Sequence, residues 1–551
     1  MIMNKVISCV RREGVQYAVL AVCAAVLVFA VGDSMLLSLS SWRAVDVDST
    51  FVISSLAAFI IHFLFWYGLL LLGVLNRGVA YVVIPVVVFL QIGIHYASSR
   101  YGAVTNELAI AAYNTNWNEL KHYLYPRTVI LFGGLLACIA MLVVLLRFVV
   151  SRENIRKKKL LLCVGVGTCV LTVWAPELVR LHMPSLSRLS VHCVLKLNPW
   201  LLGCPKKQSE EEAYDTILYT KDIVSPFYQM SYVPIYDNLV FFASLWEFLN
   251  PEQLEDAAMS PSSEVFDSLP RVAVFYIGES FRADHSPYNG YHRNTLPKVS
   301  LLSNVVNFPN LHSNETQTIT SIYSMLTLWN EEKEKATHSS FLDILKKHGY
   351  KSYLMVGANT EGTWYNSPLI APILKGNITF DSRPASAGEY RAACCRLMSE
   401  QKSPLFLLIE DGAGHMPYPS STYPFGTKNV IDLYDNALID IDMRVAGIID
   451  ALKEEDAILF FASDHGESFG EEGRIGHGGP KSAAEQLHVC GFLWYSDEYA
   501  RKRPEIIQGL KDNATRFVSL NQFYHTVVSL CGLSSDVQIA EHDMTRPCKK
   551  E

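Results

Sequence analysis

The stretch Ala457-Ile458-Leu459-Phe460-Phe461-Ala462-Ser463-Asp464-His465-Gly466-Glu467-Ser468 decides how this chain is read. Its first half is an unbroken apolar run bounded by polar residues and glycine, which reads as a buried strand. That strand ends on an Asp-His pair. In open α/β sheets, ligands collect at the carboxyl ends of strands. A carboxylate beside an imidazole offers a hard oxygen and a nitrogen, a set that suits zinc or a similar divalent ion. The same letters also occur where a helix begins, because Ser and Asp cap helices.

Working outward, apolar runs of strand length recur at residues 272–277, 353–356, 405–409 and 489–494. From Leu269 onward they alternate with helical stretches such as Phe341–Lys347 and Val430–Leu452. Strand–helix alternation predicts an α/β domain with a doubly wound, largely parallel sheet. The first of these strands runs into Gly278-Glu279-Ser280, where the glycine gives backbone freedom at the turn. Glu279 thus sits at a strand end, able to join Asp464 and His465 around one metal. The polar cluster Thr316-Gln317-Thr318-Ile319-Thr320 follows some way downstream. A threonine hydroxyl is a weak nucleophile at neutral pH, and metal coordination is one way to activate it. His415, in Asp411-Gly412-Ala413-Gly414-His415, and His477, in Gly476-His477-Gly478-Gly479, lie among glycines rather than in apolar runs. They read as contacts to a substrate phosphate or a second metal, or else as surface loop histidines. His285, His292 and His525 read as structural.

The amino-terminal third has a different character. Apolar segments span residues 17–36, 51–75, 79–97, 129–150 and 160–174. A bilayer core takes about 20 apolar residues per helix, which the first four segments meet and the last falls short of. Arg11 and Arg12 precede the first segment, but the run is long and no small-residue cleavage site follows, so it does not read as a removable signal. Lys5, Arg11 and Arg12, and the Arg147, Arg152, Arg156, Lys157, Lys158 and Lys159 group, place the amino terminus and the 147–159 loop in the cytoplasm. Five crossings then leave everything after about residue 178 outside. The expected division is a transmembrane domain at 1–178, a connector at 179–265 and a catalytic domain at 266–545. The connector reads either as interfacial helices on the membrane surface or as an ordinary linker.

A net charge of −7 argues against a nucleic-acid partner. The 12 cysteines include no CxxC pair, so a cysteine zinc site is not expected. Cys490, in a strand-like run, reads as plain core. Cys193 and Cys204 are a candidate disulfide pair.

The soluble part resembles the alkaline phosphatase/sulfatase superfamily, and within it the bacterial phosphoethanolamine transferases. The resemblance rests on Gly278-Glu279-Ser280 with Arg282-Ala283-Asp284-His285, and on Asn289-Gly290-Tyr291-His292-Arg293-Asn294-Thr295. Val306-Asn307-Phe308, the threonine cluster and Tyr434-Asp435-Asn436-Ala437 with Asp442 add to it. It ends on the Asp464-His465-Gly466-Glu467-Ser468 block with Gly470-Glu471. That family also carries five transmembrane helices before a periplasmic domain, so the resemblance covers nearly the whole chain.

The resemblance implies a metal-dependent enzyme in the bacterial inner membrane, multi-pass, with a periplasmic catalytic domain. It implies metal ligation by Glu279, Asp464, His465 and Thr318, with Thr318 as the nucleophile. It implies substrate contacts, or a further zinc, at His415 and His477, and donor-lipid contacts from Thr115 and Glu119. Those two residues also fit an ordinary helix cap and its first turns. The implied cofactor is zinc, one or two ions, with manganese as an alternative. The implied partners are phosphatidylethanolamine as donor and an envelope glycan or lipid as acceptor, the transfer passing through a covalent threonine intermediate.

Two features depart from the lipid A-modifying branch. Its cysteines flanking the nucleophile are Asn314 and Ser324 here. Its active-site lysine following an asparagine is matched only by Asn359, a further substrate candidate, with Thr363 where the lysine would stand. The acceptor is therefore left open among lipid A, lipopolysaccharide core and periplasmic glucan. A phosphoglycerol transferase acting on phosphatidylglycerol shares the layout, and a non-catalytic membrane sensor is a rival of another class. A sulfatase activity is disfavoured because no Cys- or Ser-x-Pro-x-Arg motif accompanies the threonines.

Overall fold

The computed structural model describes residues 261–330, 335–358, 360, 364–471, 474–478 and 483–546, and shorter stretches between residues 20 and 249. The chain divides into two compact units, residues 1–109 with 123–244, and residues 110–122 with 245–551.

In the first unit, Leu20 and Ala24 are buried with Phe65, Trp66, Leu69, Leu70, Ile84 and Val88. These side chains come from the apolar segments at 17–36, 51–75 and 79–97. The third segment begins as a π-helical turn, Val79–Val83, and continues as the helix Ile84–Tyr101. Among the described residues no helix is long and apolar enough to cross a membrane. The segment at 129–150, the basic loop, and most of 160–174 and of the connector, including Cys193 and Cys204, lie outside the described residues.

The second unit is built on one sheet. Its strands are Val272–Gly278 (β1), Val305–Asn307 (β2), Lys351–Val356 (β3), Thr379–Ser382 (β4), Leu405–Asp411 (β5), Ala457–Ser463 (β6) and Gly491–Tyr495 (β7). They lie in the order β2-β7-β6-β1-β5-β3-β4. The β6–β1, β1–β5, β5–β3 and β3–β4 pairings are parallel, while β7 pairs antiparallel with both β6 and β2. The expected parallel sheet is thus its central and far part, and one edge is antiparallel. Its helices include Thr318–Leu326 (α1), Phe341–Lys347 (α2), Ala387–Glu400 (α3), Val430–Leu452 (α4) and Phe523–Leu530 (α5). Ser340, Ser386 and Asn429 accept first-turn amides and cap α2, α3 and α4.

The sheet is doubly wound because its strands are apolar on both faces. Ala273, Phe275 and Ile277 of β1 pack with Ile319, Phe341 and Phe523 of α1, α2 and α5. The alternate residues Val272, Val274 and Tyr276 pack with Tyr390 of α3 and Leu438 and Ile441 of α4. Every residue of β1, β5 and β6 is buried. Burying one such Val, Leu, Ile or Phe side chain is worth roughly 1.5–3 kcal/mol.

This alternation aims the strand ends. In β1 the face of Phe275 and Ile277 continues to Glu279, and in β6 the face of Phe460 and Ala462 continues to Asp464. In β5 the face of Phe406 and Leu408 continues to Glu410. Gly278 pairs with Ser463 in parallel register, so Glu279 and Asp464 are neighbours. The glycine serves a different purpose from the turn freedom expected of it. A Cβ on Gly278 would lie 2.6 Å from the Phe461 ring, so its missing side chain makes room for β6. The left-handed residue is Ser280, at φ 58°, a conformation that non-glycine residues seldom hold without a local reason.

Candidate metal and nucleophile site

Glu279, Asp464 and His465 each present one ligand atom, all lying within 4.8 Å of one another. All three residues are buried. Asp464 ends no helix cap, so that alternative for the Asp-His pair is not observed. Its Oδ1 accepts the backbone amides of Ser280 at 3.2 Å and His465 at 2.8 Å. Its Oδ2 is buried without a hydrogen-bond donor and lies 3.3 Å from His465 Nε2.

The tautomer of His465 follows from its other nitrogen. Nδ1 sits 2.9 Å from the Gly466 carbonyl. A carbonyl only accepts, so Nδ1 carries the proton and Nε2 turns a lone pair toward Glu279 and Asp464. Two carboxylates and an imidazole lone pair thus converge. Such a cluster fits a cation, and its mixed oxygen and nitrogen donors fit a divalent metal. The Ser280 hydroxyl donates to Glu279 Oε1 at 2.6 Å, and the strained Ser280 backbone holds it there.

Electrostatics agree with the geometry. Burial pushes the Glu279 carboxyl up, but His465, His415 and His477 with the Ser280 hydroxyl outweigh it and hold it at about 2. Burial and the Glu279 charge push Asp464 up instead. Two carboxylates that close compete for ionisation, and a cation between them would relieve the competition.

Thr318 is the first residue of α1, capped by Gln317, whose side chain accepts from the Ile319 amide. The Thr318 hydroxyl lies 3.3 Å from Glu279 Oε2 and 3.3 Å from His465 Nε2. It stands at the positive end of the helix, where negative charge is favoured. Thr320 turns away, its hydroxyl bonding Gln317 and Glu315, and Thr316 is buried. The Ser321 hydroxyl donates to the Asp464 carbonyl at 2.6 Å and ties α1 to the end of β6. Asn314 and Ser324 hydrogen-bond to one another at 3.1 Å.

His415 and His477 join Glu279 in a second group of potential ligand atoms. Their rings are 5.1 Å apart, and the His477 ring is 4.3 Å from that of His465. Both are half-buried, as is Thr318. Gly414 lets the His415 loop approach, since a Cβ there would lie 2.0 Å from the Glu279 carbonyl oxygen.

Two carboxylates that sequence reading left unassigned appear beside these residues. Glu467 is fully buried and takes His477 Nδ1 on one oxygen, at 3.0 Å, and the Tyr418 hydroxyl on the other, at 3.0 Å. Burial and His465 act to lower the His477 pKa, but Glu467 and Glu279 more than reverse this. Glu410, at the end of β5, is the other. The structure confines His285 to a structural place, buried against Asp435 at 2.7 Å, and Cys490 is buried core. Asn359, Thr115 and Glu119 lie outside the described residues. Residues 112 and 113, just before Thr115, are helical and belong to the second unit, with Tyr113 against Phe248 at 5.4 Å between ring centres.

A profile of the sulfatase family matches residues 271–533. A Kdo(2)-lipid A phosphoethanolamine 7''-transferase of Salmonella typhimurium is 27% identical over 296 residues, 48% of this chain and 52% of that protein. Phosphoethanolamine transferase EptA of Escherichia coli O157:H7 is 27% identical over 332 residues, 54% of this chain and 59% of that one. The chain therefore spans a little over half the length of these curated relatives. The structure of the integral membrane protein lipooligosaccharide phosphoethanolamine transferase A from Neisseria meningitidis superposes with a TM-score of 0.69. It covers 96% of this chain and 98% of that one, and at 17% identity it shows a shared fold. The mixed sheet that carries Glu279 and Asp464 on adjacent strand ends therefore lies in a stretch that matches the sulfatase family, in a chain that is similar in sequence to bacterial phosphoethanolamine transferases.

Proposed function

We propose that the protein is a metal-dependent transferase that takes phosphoethanolamine from phosphatidylethanolamine and passes it to a cell-envelope glycan or lipid. The observation that carries this reading is the half-buried Thr318 hydroxyl, 3.3 Å from both Glu279 and His465 at the start of a helix. In the first step Thr318 Oγ1 bonds to the donor phosphorus, and the bond from phosphorus to the glycerol oxygen breaks. That oxygen takes up a proton equivalent to the one Thr318 gives up, and diacylglycerol leaves. In the second step a hydroxyl or phosphate oxygen of the acceptor bonds to phosphorus and the bond to Thr318 breaks, returning a proton to its hydroxyl.

Glu279, Asp464 and His465 would hold the metal, with Thr318 beside it. A bound divalent ion would supply positive charge to the threonine oxygen and the phosphoryl oxygens. Zinc suits this donor set better than manganese, which favours all-oxygen sites. His415 and His477 would contact the phosphoryl group or a second ion, Thr115 and Glu119 would contact the donor lipid, and Asn359 would contact substrate. Purified full-length protein should release diacylglycerol from phosphatidylethanolamine and leave phosphatidylglycerol intact. Release from phosphatidylglycerol alone would transfer the assignment to a phosphoglycerol transferase. Release from neither lipid by metal-loaded protein would favour a non-catalytic sensor.

In this proposal the amino-terminal unit is the inner-membrane domain and the second unit is periplasmic. Large apolar side chains exposed on the first unit, among them Val22, Ile60, Val82, Val86 and Phe89, support it. So does the basic 147–159 loop. A periplasm-active reporter fused after residue 265 should be active, and one fused near Arg156 silent. The reverse pattern would overturn the orientation.

A further inference from the structure

Glu410 is 2% exposed at the carboxyl end of β5. Both hydrogen bonds that its carboxyl accepts fall on Oε2, from the Thr360 hydroxyl at 3.0 Å and the Trp364 indole at 2.9 Å. Both donors are neutral. The adjacent Asp411 faces the opposite side of the sheet, where the Arg444 guanidinium and the Tyr276 hydroxyl bind it. One of two consecutive buried carboxylates therefore has its cation, and the other has none among the described residues. A buried carboxylate is costly to keep without a cation or a full set of donors.

Its place says what the missing partner is. Glu410 pairs with Ile277 in the parallel β1–β5 register, so it lies on the face that carries Glu279 and Thr318. Adjacent strands are about 4.8 Å apart and each residue rises about 3.3 Å. That puts the Glu410 and Glu279 backbones on a diagonal of roughly 8 Å. A phosphoryl group on Thr318 beside Glu279, extended by an O–C–C–N chain, can bridge that diagonal. Thr360 is held beside Glu410 from the other side as well, since the Gly412 amide donates to Thr360 Oγ1 at 3.0 Å and ties it to the His415 loop.

We propose that Glu410 receives the ammonium of the ethanolamine headgroup through Oε1 and so selects the donor. This rests on the transferase reading above. Glu410→Gln removes the charge but keeps the size and an oxygen acceptor for Thr360 and Trp364. In full-length protein it should lower kcat/KM for phosphatidylethanolamine at least about tenfold, the worth of one hydrogen bond between charged groups. Metal content and hydrolysis of bis(p-nitrophenyl) phosphate, which has no ammonium, should stay at wild-type levels. Equal loss on both substrates would mark Glu410 as structural and overturn the proposal, and so would no loss on either.

Wild-type protein decides the matter if the variant fails to melt cooperatively. Glycerophosphoethanolamine should then inhibit the aryl diester reaction at lower concentration than glycerophosphoglycerol, and N-acetylation of its amine should erase the advantage. Equal inhibition by all three would overturn the proposal. Wild-type protein that cleaves the aryl diester but never turns over phosphatidylethanolamine would instead remove the transferase reading. The two failures are therefore distinguishable.

Discussion

Thr318→Ala should reduce diacylglycerol release from phosphatidylethanolamine to background, a loss of roughly ten-thousand-fold or more, as expected when a nucleophile is removed. The same variant should keep its metal, because Glu279, Asp464 and His465 converge without help from the threonine. It should also keep its stability, since Thr318 is half-buried at a helix start and its hydroxyl makes only long contacts, at 3.3 Å. Wild-type protein incubated with donor and no acceptor should carry phosphoethanolamine on the peptide containing Thr318, detectable by mass spectrometry. Adduct on Thr316 or Thr320 would move the nucleophile. Turnover without any adduct would replace the covalent route with direct transfer from donor to acceptor.

The next largest effect is expected at Asp464. Partners that merely orient a ligand change metal affinity by about 10–100-fold, and removal of a direct ligand should exceed that. Asp464→Ala should therefore empty the site at ordinary metal concentrations and abolish activity. It also deletes the acceptor of the Ser280 and His465 amides, so some of its effect would be on folding. Asp464→Asn separates the two, because the amide oxygen still accepts from both backbones while the charge is gone. It should melt near the wild-type temperature and still lose most of its metal. Wild-type metal content and activity in Asp464→Asn would refute the ligand assignment. Loss of His415 or His477 should be milder than loss of Asp464.

Much of this architecture could be read from hydrophobic runs alone. Buried strands of an α/β sheet are apolar on both faces, so β1, β5 and β6 stand out, and Phe341–Lys347 and Val430–Leu452 appear as helices with the bounds expected of them. The convergence of Glu279 with Asp464 was legible because both sit just past such runs. The direction of the edge strands was not legible, since an apolar run looks the same in either sense. The antiparallel β7 and β2 edge emerges only from the fold. Glu410 escaped for a related reason. The apolar run of β5 stops at Ile409, and the strand continues through two carboxylates that in sequence look like the start of a loop. Which of the two points to the site depends on the pleat. The pairing of Glu467 with His477 is likewise a tertiary contact with no local signature.

The hydrogen bond between Asn314 and Ser324 spans the nucleophile segment at the positions where the lipid A-modifying branch carries cysteines. Cys394, Cys395, Cys490 and Cys531 in the same unit are all thiols. An amide–hydroxyl brace forms as the chain folds and reopens with it. It requires no electron acceptor, has no mispaired isomer, and responds to neither glutathione nor an oxidising envelope. The segment that presents Thr318 is therefore shaped by folding alone, independent of the redox state of the compartment in which the domain matures.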